Sequence, residues 1–258
     1  MKTTIRIAQI RTVPEKGNLK GNHERLMSVL DKVAGEAVDV VVTPESFLDG
    51  YIATETGVSA EQLKEYAVDP SESAYVKSVS GWAGAVGAWL IFGCSRRTPA
   101  GVYNTALIFD RKGVLKGWYD KTHCQTHDKK YLPGKTLPVF DSDFGLFGVM
   151  ICADRRWPET VRSLALQGAK VIFNPTYGMH DERNMHMMQT RSYESEVFIV
   201  FTHPLQSLVT GPTGTIICND IRADVHYSVS EIDLSSVDAV RTGGSAHLRD
   251  RRSDIYTR

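Results

Sequence analysis

The strongest constraint on the fold of this chain is a repeated alternation of short β-branched segments with longer amphipathic ones. The first unit predicts a strand at 3–10, a helix at 20–35 and a second strand at 38–43. A strand, a helix and a strand in this order are typical of a βαβ unit. The alternation therefore predicts a layered α/β protein in which helices cover the sheets.

The same alternation continues through the second half of the chain. The other predicted helices lie at 60–67, 74–88, 158–168 and 182–196. The other predicted strands lie at 90–94, 105–110, 114–119, 147–151, 170–174, 198–202, 215–219 and 226–232. Turn residues predict a hairpin between 105–110 and 114–119. They also predict a closing hairpin or meander formed by 215–219 and 226–232.

Composition argues against a nucleic-acid-binding function. The chain has 30 Lys and Arg residues against 30 Asp and Glu, and 42% of its residues are hydrophobic. A protein that binds nucleic acid usually shows a basic excess, whereas the dense basic runs here are 129–130 and 249–252, the second diluted by acidic residues. We therefore expect one domain over residues 1–258 and no nucleic-acid partner.

The sequence predicts a cytoplasmic protein without a membrane segment. Its longest apolar stretch, 83–93, is shorter than the roughly 18 residues of a membrane-spanning helix and contains three glycines. Basic residues interrupt the N-terminal segment 1–18, so it does not resemble a signal peptide. The cysteines form neither a disulfide framework nor a CxxC pair, which predicts free thiols. They are Cys94, Cys124, Cys152 and Cys218.

Three residues capable of chemistry follow predicted strands. Glu45 ends the segment VDVVVTPE, Lys121 comes after the strand at 114–119, and Cys152 comes after the strand at 147–151. Because ligands of open α/β sheets collect beyond the carboxyl ends of strands, these residues are candidates for one site. Taken singly, such a glutamate is most often a solvated loop residue and such a cysteine a small buried apolar one.

Together these three side chains are suited to acyl transfer. A nucleophilic cysteine needs a base or a positive neighbour, because a free thiol is mostly protonated at neutral pH. Glu45 can take the thiol proton, return it to the departing amine and then activate water against the thioester. The ammonium of Lys121 can favour the thiolate and stabilise the oxyanion.

Motifs along nearly the whole chain carry a resemblance to a known family. They are VVTPESFLDGY around Glu45, YDKTH around Lys121, YLPG at 131–134, GVMICADRRWPE around Cys152, NPT at 174–176, SLVTGPTG at 207–214 and the tail LRDRRSDIY. In this order they resemble the carbon-nitrogen hydrolases of the nitrilase superfamily. The similarity is greatest to the amidase and N-carbamoyl-amino-acid amidohydrolase branch.

The resemblance implies a fold and an active site. The implied fold is a four-layer α-β-β-α sandwich, and the implied catalytic triad is Glu45, Lys121 and Cys152. Lys121 and the backbone N–H of Ala153 would form the oxyanion hole. No metal or other cofactor is expected. Subunits of the family pair into an eight-layer homodimer or a higher oligomer, and we expect the tail 243–258 at that interface.

One motif departs from the family pattern. Many members carry a second glutamate between the catalytic lysine and the PG turn, whereas this chain has Asp128 at the comparable place. Asp128 is predicted to orient Lys121 or to contact the substrate, and the alternative is a solvated loop acid beside two lysines. The segment 203–207 is also shorter than in relatives, which predicts a missing or rebuilt pocket wall.

Two adjacent arginines follow the cysteine in CADRRWPE. Arg156 is predicted to pair with Asp154. In D-carbamoylase-like members two arginines in this setting hold the carboxylate of the substrate, so the resemblance implies that role for Arg155. The planar guanidinium suits it, because it donates two parallel hydrogen bonds to a carboxylate. The alternative is a surface arginine at the beginning of a helix.

Residues just past the strand ends that carry the chemistry are predicted pocket walls. They are Tyr51, Trp157, Thr176, Tyr177 and Met179. For the aromatic residues among them, ordinary core packing is the alternative.

Another class of function, a metal-dependent hydrolase, finds weak support in the sequence. The candidate ligands are His123, Cys124, His127, His180 and His186. They lack the paired spacing of structural zinc sites and the HEXXH motif. The resemblance instead implies a supporting role for His123 near Lys121, and the other histidines are predicted on loops or helix surfaces. A metal enzyme would be inhibited by a chelator and a thiol enzyme would not.

The sequence therefore predicts a cofactor-independent amidohydrolase that cleaves a linear, non-peptide C–N bond through a thioester on Cys152. The substrate is predicted to be a small amide or N-carbamoyl compound bearing a carboxylate, with ammonia or an amine released. An ω-amidase of dicarboxylate monoamides and a nitrilase would use the same triad and remain alternatives. A catalytically silent binding subunit would keep the fold and lose the triad, whereas all three positions are filled here.

Overall fold

Two six-stranded sheets pack face to face in the computed structural model, which describes residues 2–256. The strands are β1 (Thr4–Ile10), β2 (Val40–Val42), β3 (Trp89–Thr98), β4 (Gly101–Phe109), β5 (Leu115–Asp120), β6 (Val139–Ser142), β7 (Gly145–Val149), β8 (Val171–Pro175), β9 (Phe198–His203), β10 (Gln206–Thr210), β11 (Ile216–Asp220) and β12 (Tyr227–Asp233). The α-helices are α1 (Leu19–Val33), α2 (Ala74–Val86), α3 (Pro158–Leu166), α4 (Glu182–Ser195) and α5 (Ser235–Thr242). Short 3-10 helices lie at Ala34–Glu36, Ile52–Thr54, Gln62–Tyr66, Thr126–Asp128 and Cys152–Arg156.

Local signals in the sequence set the ends of several helices. The Ser73 side chain accepts a hydrogen bond from the N–H of Val76 and begins α2, which ends where Gly87 adopts a φ of 74°. Asp181 caps α4 in the same way by accepting from the N–H of Asn184. Such caps satisfy backbone groups that have no partner inside the helix.

The strand order places the ends of the reactive strands together. The first sheet has the order β12-β1-β2-β3-β4-β5, and the second has the order β11-β10-β9-β8-β7-β6. In the first, β2 is parallel to β3, and β4 is antiparallel to both β3 and β5, so β2 and β5 point the same way. In the second, β7, β8 and β9 are parallel. Glu45 and Lys121 therefore follow strands that end at the same edge of their sheet.

The core consists of apolar layers on both faces of each sheet. One cluster fills the space between the sheets and includes Ile7, Ile91, Phe147, Phe173 and Val200. A second cluster joins the outer face of the first sheet to α1 and α2, and a third joins the outer face of the second sheet to α3 and α4. The predicted four-layer α-β-β-α sandwich is confirmed.

The predicted pairing of the last two strands is wrong. The strands predicted at 215–219 and 226–232 do not form a hairpin or meander, because β11 pairs with β10 in one sheet and β12 pairs with β1 in the other. The predicted hairpin of β4 and β5 is confirmed. Closeness in the chain predicted both pairings, but the partner of β12 depends on which sheet edge it can reach after the whole chain has folded.

Some elements differ from the prediction. The helix predicted at 60–67 is a short 3-10 helix, and β6, β10 and α5 were not predicted. The segments β6 (VFDS) and β10 (QSLVT) are short and mix polar with apolar residues, so they lack the β-branched runs that indicate strands. Within residues 2–256 no helix is long and apolar enough to cross a membrane.

The C-terminal tail packs along the outer helices of the second sheet. Glu196 accepts hydrogen bonds from the backbone N–H groups of His247 and Leu248, and His247 also contacts the carbonyl of Tyr193. Ile255 and Tyr256 remain more than half exposed beside a groove of about 1330 Å³. Residues 257 and 258 lie outside the described residues. The role of 243–258 at a subunit interface stays a prediction.

We expect the Phe147→Ala substitution to destabilise the protein by about 3–5 kcal/mol, because Phe147 is buried between the sheets, where it contacts Trp89 of the facing sheet and Phe173 of its own sheet. The free energy of unfolding can be measured by urea titration followed by circular dichroism. Ile221→Ala is the matched control, because Ile221 is 66% exposed, and it should change stability by no more than about 0.5 kcal/mol. Equal stability of the two variants would contradict this role of the inter-sheet layer.

Candidate active site

Glu45 lies on a tightly folded segment that follows β2. The backbone of this segment takes positive φ values at Ser46 (44°), Gly50 (67°) and Tyr51 (57°). It also runs so close to β3 that a Cβ atom at Gly93 would lie 2.2 Å from the carbonyl oxygen of Pro44. Residues other than glycine rarely adopt positive φ, so the surrounding structure must hold Ser46 and Tyr51 in this conformation.

Lys121 binds two buried carboxylates. Its Nζ lies 2.7 Å from Oε1 of Glu45 and 2.7 Å from Oδ2 of Asp128, and all three side chains are at most 1% exposed. The hydroxyl of Tyr51 donates a hydrogen bond to Asp128, and its oxygen lies 3.3 Å from Nζ of Lys121. Burial alone disfavours the ammonium, but the negative charges around it, first that of Glu45 and also that of Asp128, outweigh burial and raise the pKa of Lys121. Lys121 therefore remains a cation.

This geometry decides between the two interpretations of Asp128. A solvated loop acid would be exposed, whereas Asp128 is buried against Lys121 and that alternative is wrong. Asp128 is the last residue of the 3-10 helix Thr126–Asp128 and comes seven residues after Lys121 in the chain. The turn of this helix brings its carboxylate back to the Lys121 ammonium. The side chain that is one methylene shorter than glutamate therefore still reaches it.

Glu45 is held by two further donors. The side-chain Nδ2 of Asn104 lies 2.9 Å from Oε1, and the backbone N–H of Tyr177 lies 3.0 Å from Oε2. The carbonyl of Asn104 also accepts from the backbone N–H of Lys121. Neither donor was predicted, because Asn104 lies within a strand without a motif and Tyr177 contributes its backbone rather than its side chain.

Cys152 lies on a strained turn that follows β7 after Met150 and Ile151. Its φ is 45°, and the 3-10 helix Cys152–Arg156 begins there. Oδ2 of Asp154 accepts from the N–H of Ile151 at 2.9 Å and so ties the turn together. A non-glycine residue at positive φ costs on the order of 1–3 kcal/mol and is common at active sites. The N–H of Ala153, in the first turn of this helix, has no acceptor inside it.

The thiol of Cys152 is close enough to Glu45 and Lys121 to respond to their charges. Burial and then the carboxylate of Glu45 raise the pKa of Cys152, while Lys121 and Arg155 lower it, and the pKa remains above its usual value. The resting side chain is therefore a neutral thiol. Nη1 of Arg155 lies 3.4 Å from Sγ. A Cβ atom at Gly178 would lie 3.2 Å from Sγ, so a larger residue there would require the sulfur to shift by a few tenths of an ångström.

Arg155 is buried against the thiol. Its Nε donates to Oδ1 of Asn184 at 2.6 Å and its Nη2 to the carbonyl of Met179 at 2.7 Å, and the residue is 1% exposed. The alternative of a surface arginine is therefore wrong. Asn184, on the first turn of α4, was not predicted because nothing in the sequence connects it to the motif around Cys152.

The predicted pair between Arg156 and Asp154 is wrong. Arg156 is exposed, whereas the buried carboxylate of Asp154 accepts from the hydroxyls of Tyr119 and Thr122 and contacts Nδ1 of His123 at 2.7 Å. Burial opposes ionisation, but the hydrogen bonds, first from His123, hold the pKa of Asp154 below its usual range. His123 therefore supports the turn that carries Cys152.

A cavity of about 360 Å³ opens onto Cys152. Its lining consists of Tyr51, Thr54, Gln125, His127, Cys152, Ala153, Arg155, Arg156, Tyr177, Gly178 and Met179. The structure thus brings the predicted wall residues Tyr51, Tyr177 and Met179 together with Arg155 at the thiol. Thr54 and Gln125 also line this cavity and had no signal in the sequence.

Two predicted wall residues do not line this cavity. Trp157 is 37% exposed in a neighbouring surface depression, where it stacks on His123 with 4.1 Å between ring centroids. Thr176 is fully buried, and its hydroxyl donates to Asn174. Both follow reactive strands in the chain, but their side chains point away from the cavity.

The candidate metal ligands are spread over separate contacts. His123 contacts Asp154, His180 stacks on His203, and His186 lies on the exposed side of α4. In the described part of the chain, residues 2–256, no three His, Cys, Asp or Glu side chains lie close enough together to hold a metal ion.

The sequence model of the carbon-nitrogen hydrolase family matches residues 4–242. A probable nitrilase of Schizosaccharomyces pombe is 26% identical over 274 residues, covering 98% of this chain and 97% of the relative. An N-carbamoylputrescine amidase of Oryza sativa subsp. japonica is 31% identical over 189 residues, covering 60% of this chain and 62% of the relative. Saccharomyces cerevisiae Nit3, a nitrilase-superfamily member, superposes with a TM-score of 0.82 at 22% identity, covering 93% of this chain and 94% of Nit3. That structural likeness shows the fold.

We expect the alkylation of Cys152 by iodoacetamide to accelerate with pH without a plateau below about pH 9, because its thiol is neutral at rest. Glu45→Gln removes the charge that raises this pKa and should shift the profile to lower pH. Arg155→Met removes a charge that lowers it and should shift the profile to higher pH.

The alkylation rate can be followed by intact-mass spectrometry. Cys152→Ala reports the background reaction of the other cysteines. A plateau already reached at neutral pH in the wild type would indicate a standing thiolate and contradict the electrostatics described above.

Proposed function

Because this chain belongs to the carbon-nitrogen hydrolase family and is thus a hydrolase of C–N bonds other than peptide bonds, we propose that it cleaves a small amide or N-carbamoyl compound bearing a carboxylate. The proposed reaction passes through a thioester on Cys152. The observation that carries the proposal is the placement of the buried Arg155 guanidinium and the Cys152 thiol in the wall of one cavity.

The proposed first step is attack by the sulfur on the carbonyl carbon. Glu45 accepts the thiol proton as the Sγ–C bond forms, because a standing thiolate beside the Glu45 carboxylate is disfavoured. The carbonyl oxygen becomes negative and is stabilised by the Lys121 ammonium and the N–H of Ala153. One such donor is typically worth about a hundred- to a thousandfold in rate.

The proposed second half of the reaction regenerates the thiol. The C–N bond breaks as Glu45 returns its proton to the departing nitrogen, which leaves as ammonia or an amine. Glu45 then takes a proton from water while the water oxygen attacks the thioester carbon. The C–S bond breaks, the acid is released, and the proton returns to sulfur. The hydrogen bonds to Glu45 from Asn104 and Tyr177 keep its carboxylate aimed through both halves.

Arg155 has the donors needed for a substrate carboxylate. A guanidinium has five N–H groups, and three of them point at Asn184, Met179 and the Cys152 sulfur. One N–H remains on each terminal nitrogen, and such a pair binds a carboxylate through two parallel hydrogen bonds. The cavity of about 360 Å³ suits a small molecule.

The cavity lining also favours an anionic substrate over a cationic one. Arg155 and Arg156 both line it, and no Asp or Glu is among the lining residues. The carboxylates of Glu45 and Asp128 lie behind this surface on Lys121. The substrate named for N-carbamoylputrescine amidases ends in an amine, which is a cation at neutral pH. We therefore propose a carboxylate rather than an amine at that end of the substrate.

We expect the wild type to gain the mass of an acyl group when turnover of a carboxylated amide or N-carbamoyl substrate is quenched with acid. Cys152→Ala should gain no mass and show no turnover, because it lacks the sulfur that forms the thioester. Cys124→Ala is the matched control, because this free thiol lies outside the cavity and the variant should remain active. Hydrolysis by Cys152→Ala at the wild-type rate would contradict the mechanism. A panel that includes nitriles and dicarboxylate monoamides identifies the acyl group from its mass.

We expect Arg155→Lys to lower the ratio of kcat/KM for a carboxylated amide to kcat/KM for a neutral amide of equal length by about 10- to 100-fold. Lysine keeps the charge and loses the paired donors, and taking the ratio cancels any effect on the thiol. Arg183→Lys, at an exposed arginine that contacts Asp181, is the control. An unchanged ratio in Arg155→Lys would remove the basis for a carboxylated substrate while leaving the amidase chemistry intact.

A further inference from the structure

His203 is a buried histidine at the end of β9 that no step of the proposed reaction uses. Its Nδ1 accepts a hydrogen bond from the backbone N–H of Leu205 at 3.0 Å, and its Nε2 lies 3.0 Å from the carbonyl oxygen of Tyr177. Because the N–H of Leu205 can only donate, Nδ1 is unprotonated and Nε2 carries the proton. His203 therefore donates to Tyr177 as a neutral imidazole.

His203 contacts the segment formed by residues 176–179. This segment also contacts Glu45, Arg155 and Cys152. The N–H of Tyr177 donates to Oε2 of Glu45, and the carbonyl of Met179 accepts from Arg155. Gly178 lies against the sulfur of Cys152. A displacement of this segment would therefore move Glu45 and Arg155 and change the packing against the sulfur of Cys152.

Only a few contacts fix the segment to the second sheet. The N–H of Thr176 donates to the carbonyl of Thr202 at 2.8 Å, and beyond that residue the carbonyl of Tyr177 is held by His203. The two backbone polar groups of Tyr177 thus have one partner each: Glu45 on its N–H and His203 on its carbonyl. A hydrogen-bond donor at position 203 therefore sets the backbone orientation of Tyr177, and with it the direction of the N–H that donates to Glu45.

We propose that His203 is a positioning residue for the reaction, which orients the segment 176–179 and through it the Glu45 carboxylate by donating a hydrogen bond to the Tyr177 carbonyl. This inference rests on the proposed function, because its kinetic consequence requires Glu45 to act as the base.

The surroundings of His203 keep it neutral. Burial, and after it the neighbouring His180, Arg155 and Arg11, lower the pKa of His203 to about 4. The charged or titratable groups facing it are His180, Arg155 and Arg11, and Arg11 pairs with Asp220 at 2.7 Å. Protonation at Nδ1 would replace an acceptor by a donor facing the Leu205 N–H and place a cation beside two arginines. The donor to Tyr177 is therefore constant over the pH range in which a thiol hydrolase works.

We expect His203→Met to lower kcat by about 10- to 100-fold with KM changed by less than about threefold, because a displaced general base affects the chemical step more than binding. His203→Gln has nearly the same length and can place an amide N–H at the same carbonyl. It should keep kcat within about threefold of the wild type. Rates are normalised to the concentration of Cys152 that reacts with iodoacetamide, so that loss of folded protein does not count. Wild-type kcat in His203→Met, or equal loss in both variants, would overturn the proposal.

A second measurement needs no substrate. Hydrogen exchange of the Tyr177 amide should be at least about tenfold faster in His203→Met than in the wild type, and His203→Gln should restore the slow rate. If His203→Met does not fold, His203→Phe keeps a ring between His180 and Phe201 and removes the donor in the same way. His180→Ala is the matched control, because it removes the stacked ring and keeps the hydrogen bond. Its kcat and Tyr177 exchange should match the wild type.

The two measurements separate this inference from the function on which it rests. Faster Tyr177 exchange in His203→Met together with a wild type that turns over no amide would overturn the proposed function and support the anchoring role. An active wild type with unchanged exchange and unchanged kcat in His203→Met would overturn the anchoring role and leave the function in place.

Discussion

The buried ammonium of Lys121, held between the carboxylates of Glu45 and Asp128, is the interaction on which the rest of the site depends. A lone ammonium at this depth would lose its proton, because burial favours the neutral amine. Two carboxylates at 2.7 Å reverse that preference and keep the charge. Removing one partner of such a buried group typically costs about 3–5 kcal/mol, since the remaining charge stays uncompensated. The same contacts fix the direction of Glu45, so charge and geometry are set together.

The sheets make this arrangement possible by bringing distant segments to one place. Strands β2 and β5 point the same way in one sheet, and Cys152 follows the end of β7 in the sheet that faces it. Beyond these ends the chain turns sharply, with positive φ at Ser46 and Cys152. Buried hydrogen bonds repay that strain, among them those accepted by Asp154 around the Cys152 turn. His123, which also contacts Asp154, therefore helps to hold the turn that carries Cys152.

The sequence predicted residues better than it predicted contacts. Glu45, Lys121 and Cys152 were identified because each follows a strand and carries a reactive group inside a distinctive motif. Trp157 and Thr176 satisfy the same rule of position, yet Trp157 lies in a neighbouring depression and Thr176 is buried and does not line the cavity. Position after a strand predicts the edge of the sheet at which a residue lies and leaves open the direction of its side chain. The predicted partner of Asp154 was wrong for the same reason. Arg156 is close to Asp154 in the sequence, whereas His123 is close to it in space.

By itself the sequence determined the layered α/β class and the family, and it proposed the site residues Glu45, Lys121 and Cys152, because periodic hydrophobicity and short motifs are local properties of the chain. Only the tertiary structure decided that β12 closes the first sheet while β11 closes the second, that Asp128 is buried on Lys121, and that Arg155 touches the thiol. It also decided that the Tyr177 backbone connects His203 to Glu45. These contacts join residues far apart in the chain, and they form only where packing of the two sheets excludes water and forces each buried polar group to find a partner.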